Sequence, residues 1–202
     1  MSVYELKPRF QARLRPLTGA LFRAGITANQ VTVIACAGSI ALGTLLAWLP
    51  ERGPLFFLVP LWFFVRMALN AVDGMLAREF GQASPIGAYL NELCDVVADT
   101  ALYLPFALLP GSSAWLVGSV IVLAIISEMA GVLGLMVGAS RRYDGPMGKS
   151  DRAFVFGVLG LLVGSGVHVA PALDWIWTAV ALLIIATIVN RTRRGLAEAK
   201  RS

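Results

Sequence analysis

Six apolar runs, at about 31–49, 55–78, 85–109, 113–138, 153–170 and 172–190, take up most of this 202-residue chain. A helix needs ~20 apolar residues to cross the ~30 Å hydrocarbon core of a bilayer. These runs therefore constrain the fold more than any other feature. Turn and charge signals bound them: Pro50 to Pro54, Gly81 to Pro85, Pro110 to Ser112, and a polar loop from Ser140 to Asp151. The last break, between His168 and Asp174, is the least marked. Composition agrees, with 57% hydrophobic and 14% charged residues and a mean hydropathy of +0.74. Soluble chains run near ~45–50% apolar and ~25% charged. A soluble enzyme, a disordered tail and a disulfide-stapled secreted module are all excluded. Cys36 and Cys94 lie inside apolar runs, where a free thiol behaves as a small hydrophobe. The basic N-terminal stretch has no apolar segment close behind it, so no cleavable signal peptide is expected. The expected fold is an all-α integral membrane protein, one domain over 1–202. It has an amphipathic interfacial segment (1–25), a six-helix bundle (26–190) and a basic cytoplasmic tail (191–202).

The cations set the orientation. Lys7, Arg9, Arg13, Arg15 and Arg23 precede the first span; Arg141, Arg142, Lys149 and Arg152 lie in the 140–152 region; Arg191, Arg193, Arg194, Lys200 and Arg201 follow the last span. Arg78 falls on the same side, and the opposite side has only Arg52. The positive-inside rule places both termini and the loops near 80 and 145 in the cytoplasm. The net charge of +5 is thus topology, with anionic lipid head groups as secondary partners, and no nucleic acid is expected.

Near the N-terminus, Leu6, Phe10, Leu14, Leu17 and Leu21 recur at helical spacing between basic residues. That pattern suits a helix lying on the cytoplasmic membrane surface, limited or bent by Pro8 and Pro16. Thr27-Ala28-Asn29-Gln30 has capping-box spacing at the entry to the first span, and serves capping or ligand contact.

Ionisable groups inside spans are costly and mark function. Here they gather in two adjacent runs. At ~100° per residue, Arg66, Asn70, Asp73, Gly74 and Ala77 share an arc of the second span, and Asn91, Glu92, Asp95 and Asp99 an arc of the third. Ser84 is placed to cap the third span and Pro85 to occupy its first turn. Asp73 and Asn91 lie roughly 9 Å in from the cytoplasmic helix ends, and Asn70 and Asp95 roughly 14 Å. Two polar rungs of oxygen donors facing a cytoplasm-open cavity suit Mg²⁺ or Mn²⁺, with phosphate as co-ligand. Gly74 and Ala77 leave room for a ligand near the backbone, and Arg78 supplies a fixed cation.

The run Asp73-Gly74-x2-Ala77-Arg78-x8-Gly87-x7-Asp95 resembles the signature of the CDP-alcohol phosphatidyltransferase family, D-x2-D-G-x2-A-R-x8-G-x3-D-x3-D, at six fixed positions. Gly25 to Gln30 is similar to that family's entry to its first span, and six spans is its usual number. The chain departs at two positions, with Asn70 and Asn91 where the family has its first and third aspartates. The resemblance implies transfer of a phosphatidyl group from a CDP-lipid such as CDP-diacylglycerol to a small alcohol, releasing CMP. It also implies a bacterial inner-membrane location and a possible homodimer. Carried onto this sequence, Asp95 is the general base. Asn70, Asp73, Asn91 and Asp95 hold Mg²⁺ or Mn²⁺, with Asp99 or Glu92 as possible compensation, and Gly74, Ala77, Arg78 and Gly87 receive the CDP moiety. Each Asn removes a negative charge, so weaker metal binding or a single tight ion is expected.

Lys149 and Arg152 open the fifth span and are candidates for an acceptor's phosphate, or for topology alone. Arg66 faces the cluster, to neutralise Asp73 or to touch substrate. Glu128 lies mid-span without a readable partner, and His168 reads as a loop residue. Two rival readings remain open: a non-catalytic CDP-lipid-binding protein, motivated by the lost carboxylates, and an ion-coupled transporter built on the intramembrane acids.

Overall fold

The computed structural model describes the backbone of residues 3–200 and the side chains of residues 10–200. The expected roles of the side chains of Leu6, Lys7, Pro8, Arg9 and Arg201 lie outside the described residues. Among the described residues the chain is helical throughout, without strands: α1 (Val3–Arg23), α2 (Ala28–Trp48), α3 (Leu58–Glu79), α4 (Pro85–Tyr103), α5 (Ala114–Leu133), α6 (Lys149–Gly164) and α7 (Leu173–Ala199). Short 3₁₀ turns precede α3 and α7 and follow α4 and α5. Among the described residues, four stretches are long and apolar enough to cross a membrane: Ala28–Trp48, Gly53–Glu79, Ala114–Val137 and Ala170–Ala199. Six such runs were expected. Glu92, Asp95 and Asp99 dilute the apolar character of α4, and α6 has only 16 residues.

Polarity is arranged as a hydrocarbon solvent requires. Ile34, Leu61, Phe64, Val122, Met129 and Leu182 face outward, whereas Arg66, Asp73, Asp99, Arg152 and Arg191 are buried. The chain divides into two compact units, Met1–Ala41 with Leu61–Ala98, and Leu42–Pro60 with Asp99–Ser202.

In the first unit, Leu14 and Leu21 of α1 pack with Ile26 against Ala28 and Val31 of α2 and Val72, Met75 and Leu76 of α3. Phe10 meets Phe64 edge-on at 6.1 Å, and Phe22 lies 4.8 Å from Phe80. Arg15 grips Glu79 with two 3.0 Å hydrogen bonds. α1 runs unbroken through Pro8 and Pro16, which were expected to limit it. It ends in a Schellman turn: Ile26 N–H donates to the Leu21 carbonyl and Gly25 N–H to that of Phe22, with Gly25 at φ +78°. The capping box forms as expected. Thr27 N–H donates to Gln30 Oε1 at 2.9 Å and Gln30 N–H to Thr27 Oγ1 at 3.2 Å. Gln82 satisfies another orphan donor at this helix end, accepting from Ala28 N–H at 2.7 Å.

The second unit is built on five buried aromatic rings. Tyr103 stacks on Phe156 at 3.8 Å, Phe156 on Trp177 at 5.1 Å, and Phe106 meets Phe56 and Phe156 edge-on at 5.3 and 5.0 Å. Trp177 donates its indole N–H to Ser112 at 2.8 Å. Gly43 of α2 passes so close to α4 that a Cβ would lie 2.1 Å from the Ala101 carbonyl oxygen. Only glycine permits that approach.

The loop between α5 and α6 is docked on α7. Asp144 accepts from Arg142 at 2.8 Å and from Arg194 at 2.7 Å, Glu198 holds Ser140 and Arg142, and Met147 N–H donates to Thr187 at 2.9 Å. The basic residues Arg191, Arg193 and Arg194 lie in the last turns of α7, where Arg191 pairs with Glu128 and Arg194 with Asp144. His168 lies in the exposed turn before α7, as expected.

Two consequences are measurable. Gly43→Ala should destabilise the protein by about 1–3 kcal/mol in detergent, read by thermal unfolding, since the added methyl must push backbone rather than a movable side chain. Burial alone would raise the Asp144 carboxyl, but hydrogen bonds from Arg194 and Arg142 outweigh it and hold the group below its ordinary value. The unfolded chain takes up that proton more readily, so the ionised group stabilises the docked loop above about pH 4 and the contribution fades as pH falls further. Hydrogen exchange of the loop amides should speed up below that pH beyond the intrinsic rate change, and Asp144→Asn should flatten the dependence.

Candidate active site

The acids and amides singled out from sequence sit on α3 and α4, within the first unit except for Asp99. Local chemistry starts α4 where it was expected. Ser84 Oγ accepts from Gly87 N–H at 3.1 Å, and Pro85 fills the first helical position, where its missing N–H costs nothing. Asn70, Gly74, Asn91 and Asp95 are half-buried, and Asp73 is buried at 7% exposure.

Two contacts define the electrostatics. Arg66 Nη2 lies 3.1 Å from Asp95 Oδ1 and donates to the Asp95 carbonyl at the same distance, so one cation from α3 holds both the backbone and the carboxylate of α4. Of the two roles open to Arg66 in the sequence, the structure favours neutralisation, with Asp95 among its partners. Asp73 Oδ2 lies 2.7 Å from Thr32 Oγ1, which is also 3.1 Å from the Ala28 carbonyl. A hydroxyl has one hydrogen, and the shorter, charge-assisted contact takes it. Sequence reasoning did not single out Thr32. Its one signal is its place, a helical turn beyond the capped entry of α2.

The glycines show two kinds of crowding. A Cβ on Gly74 would lie 2.7 Å from Arg78 Nη2, so the Arg78 guanidinium folds back over Gly74 on one face of α3. A Cβ on Gly87 would lie 2.7 Å from Asn29 Oδ1 and 3.0 Å from Ser84 Oγ. Gly87 therefore has a packing reason to be glycine, independent of any ligand, and Asn29 sits at the head of α4.

The sequence candidates for holding a divalent cation are two carboxylates, Asp73 and Asp95, and two amide oxygens, Asn70 and Asn91. Among the described residues no three His, Cys, Asp or Glu side chains gather into a metal-binding group. All-oxygen donors of low total charge suit one hard cation completed by phosphate oxygens better than a carboxylate-rich cage.

Asp99, Glu128, Lys149 and Arg152 lie in the second unit. Asp99 approaches Arg152 Nη2 at 3.5 Å. Glu128 proves to be the centre of a cluster, 2.9 Å from Arg152, 3.4 Å from Arg191 and 3.7 Å from Arg141. Lys149 is the first residue of α6.

The family model for CDP-alcohol phosphatidyltransferase matches residues 25–189. An inner membrane protein of Escherichia coli K12, YnbA, is 44% identical over 196 residues, 97% of each chain. A phosphatidylinositol phosphate synthase of Mycobacteroides abscessus is 29% identical over 184 residues, 89% of this chain and 80% of that one. In fold, the chain is similar to the Mycobacterium tuberculosis phosphatidylinositol phosphate synthase solved with manganese and citrate (TM-score 0.74, 22% identity, 90% of this chain and 88% of that one). The same enzyme solved with CDP-DAG bound gives a TM-score of 0.73 at 22% identity, covering 91% and 92%.

The Arg66–Asp95 contact yields a direct test. Arg66→Ala should cost about 3–5 kcal/mol by leaving a carboxylate without its cation inside the protein. Adding Asp95→Ala should cost less than the two single changes summed, because the pair is removed together. Unfolding of the four species in one detergent measures the coupling.

Proposed function

Because the chain belongs to the CDP-alcohol phosphatidyltransferase family, we propose that it transfers the phosphatidyl group of CDP-diacylglycerol to a small alcohol and releases CMP. The observation that carries this reading is the ordered constellation on α3 and α4: Asp73, Gly74, Ala77 and Arg78, then Gly87 and Asp95, at the family's spacing. The solved relative whose structure contains CDP-DAG supports the choice of donor, and the one containing manganese supports a divalent cation.

Asp95 accepts the proton of the acceptor hydroxyl as its oxygen attacks the phosphorus that bears diacylglycerol. The bond from that phosphorus to the bridging diphosphate oxygen breaks, and CMP leaves. Arg66 sets the position of Asp95 through its contacts with the carbonyl and the carboxylate. Asn70, Asp73, Asn91 and Asp95 would hold a Mg²⁺ or Mn²⁺ ion, whose charge neutralises the diphosphate. Gly74, with Arg78 folded over it, and Ala77 line the approach for the diphosphate, and Gly87 lets α4 begin close to Asn29. Thr32 orients Asp73 by its hydrogen bond.

The membrane setting completes the reading. The protein is a multi-pass inner-membrane protein in which α4 and α6 cross together with the four longer spans, making six crossings with both termini cytoplasmic. α1 lies at the cytoplasmic interface, where the exposed Leu17 and Phe22 reach acyl chains.

Purified protein in lipid nanodiscs, given CDP-diacylglycerol, Mn²⁺ or Mg²⁺ and a panel of alcohols, should release CMP and form a new phospholipid seen by mass spectrometry. Asp95→Asn should lower the rate about 10²–10⁴-fold, the usual worth of a positioned base. Asn70→Asp with Asn91→Asp should lower the metal concentration giving half-maximal rate. Binding of CDP-diacylglycerol without CMP release would replace this reading with that of a lipid-binding relative. Ion flux in liposomes without CMP chemistry would point to transport.

A further inference from the structure

The chain has two cysteines, Cys36 on α2 and Cys94 on α4, and neither enters the transfer reaction proposed above. Both belong to the first unit, both are free thiols, and their side chains are hydrogen-bonded to one another. The register of the two helices explains the meeting. A Cβ on Gly87 would come within 2.7 Å of Asn29 Oδ1, so the heads of α2 and α4 touch at those two positions. Seven residues on from each, two helical turns at nearly the same angle, are Cys36 and Cys94. The helices therefore run side by side in the same direction, and two sulfurs make a second contact about 10 Å farther along. Cys36 is 8% exposed and Cys94 is half-buried. The residue after Cys94 is Asp95, whose carbonyl and carboxylate Arg66 holds at 3.1 Å.

We propose that Cys36 and Cys94 form a modification site, a dithiol that a hydroperoxide converts to a disulfide, and that the new bond displaces Asp95 and silences transfer. Only the silencing rests on the transferase reading above. Cys94, the more exposed sulfur, attacks the terminal oxygen of the hydroperoxide. The O–O bond breaks, the alkoxide takes the thiol proton and leaves as an alcohol, and Cys94 becomes a sulfenic acid. Cys36 then attacks the Cys94 sulfur. The S–O bond breaks, and the hydroxyl leaves as water with the Cys36 proton. Two thiols have lost two electrons and two protons, and the hydroperoxide has become an alcohol and water. An apolar hydroperoxide suits the site, because both thiols lie within hydrophobic runs and the second to react is buried. A covalent bond is shorter than the hydrogen bond it replaces, so its formation draws Cys94 toward α2. Asp95 is carried with it and shifts against Arg66, which is fixed to α3. A dithiol reductant reverses the change by exchange.

With no other cysteine in the chain, the assignment is direct. The full chain in nanodiscs of saturated lipid is exposed to cumene hydroperoxide, remaining thiols are capped with a maleimide, and digests are read by mass spectrometry. Both thiols should vanish together, giving a peptide that joins Cys36 to Cys94 within one chain and is split by dithiothreitol. In Cys36→Ser no linked peptide should form, and dimedone should capture the Cys94 sulfenic acid. Thiols that survive the treatment, or a link formed only between two chains, overturn the site. CMP release by the wild-type protein should fall about tenfold or more on oxidation and return on reduction, the scale expected when a reacting group is moved by a fraction of its own length. Cys36→Ala with Cys94→Ala should keep its rate through the same treatment. Cross-linked protein with undiminished CMP release overturns the silencing, as does a fall shared by the double variant. If no alcohol yields CMP even from reduced protein, the transferase reading fails by itself, and the peptide analysis still decides whether the two cysteines form the site.

Discussion

A buried ionised side chain carries a desolvation cost of several kcal/mol unless it is paired and hydrogen-bonded. The buried guanidinium of Arg152 meets that cost by contacts on three sides. Ser127 and Glu128 come from α5, Asp99 from α4, and the Met147 carbonyl from the loop before its own helix. The second unit is organised around this demand. α5, α6 and α7 each contribute at least one charge to the Glu128 cluster, and the aromatic stack of Tyr103, Phe156 and Trp177 joins α4, α6 and α7 on the apolar side. The same rule operates in the first unit at smaller scale, where Arg66 and Asp95 neutralise one another between α3 and α4.

Much of this was legible in the sequence, and its limits have a physical cause. Helix periodicity fixes the direction in which a side chain leaves its own axis, so the polar faces of α3 and α4 could be read from residues 66–78 and 91–99 alone. Capping is local over three or four residues, and both the Thr27–Gln30 box and the Ser84 cap were readable for that reason. Partner choice is not local. Arg66 reaches Asp95 by the length of its side chain and the register of two helices. The basic residues after 190 read as a tail because charge marks a membrane exit, while the acids that hold them, Glu128 and Asp144, lie some fifty residues or more earlier in the chain.

Signature glycines also need separate physical readings. Gly74 is overlain by the arginine one turn later, an arrangement that concerns what approaches α3 from outside. Gly87 is hemmed in by Asn29 and Ser84, which concerns how α4 begins beside α2. A motif read as a single ligand site therefore mixes groups that meet substrate with groups that set the helices in place.

The docked 140–148 loop has a consequence for synthesis. Ser140 and its acceptor Glu198 are separated by 58 residues, and Arg194 lies 50 residues beyond Asp144. The ribosome delivers the loop well before the side chains that hold it, so α5 and α6 are complete while their connecting turn is still unanchored. Only when α7 has followed them can that turn settle, which makes the final helix the fastener of the pair before it.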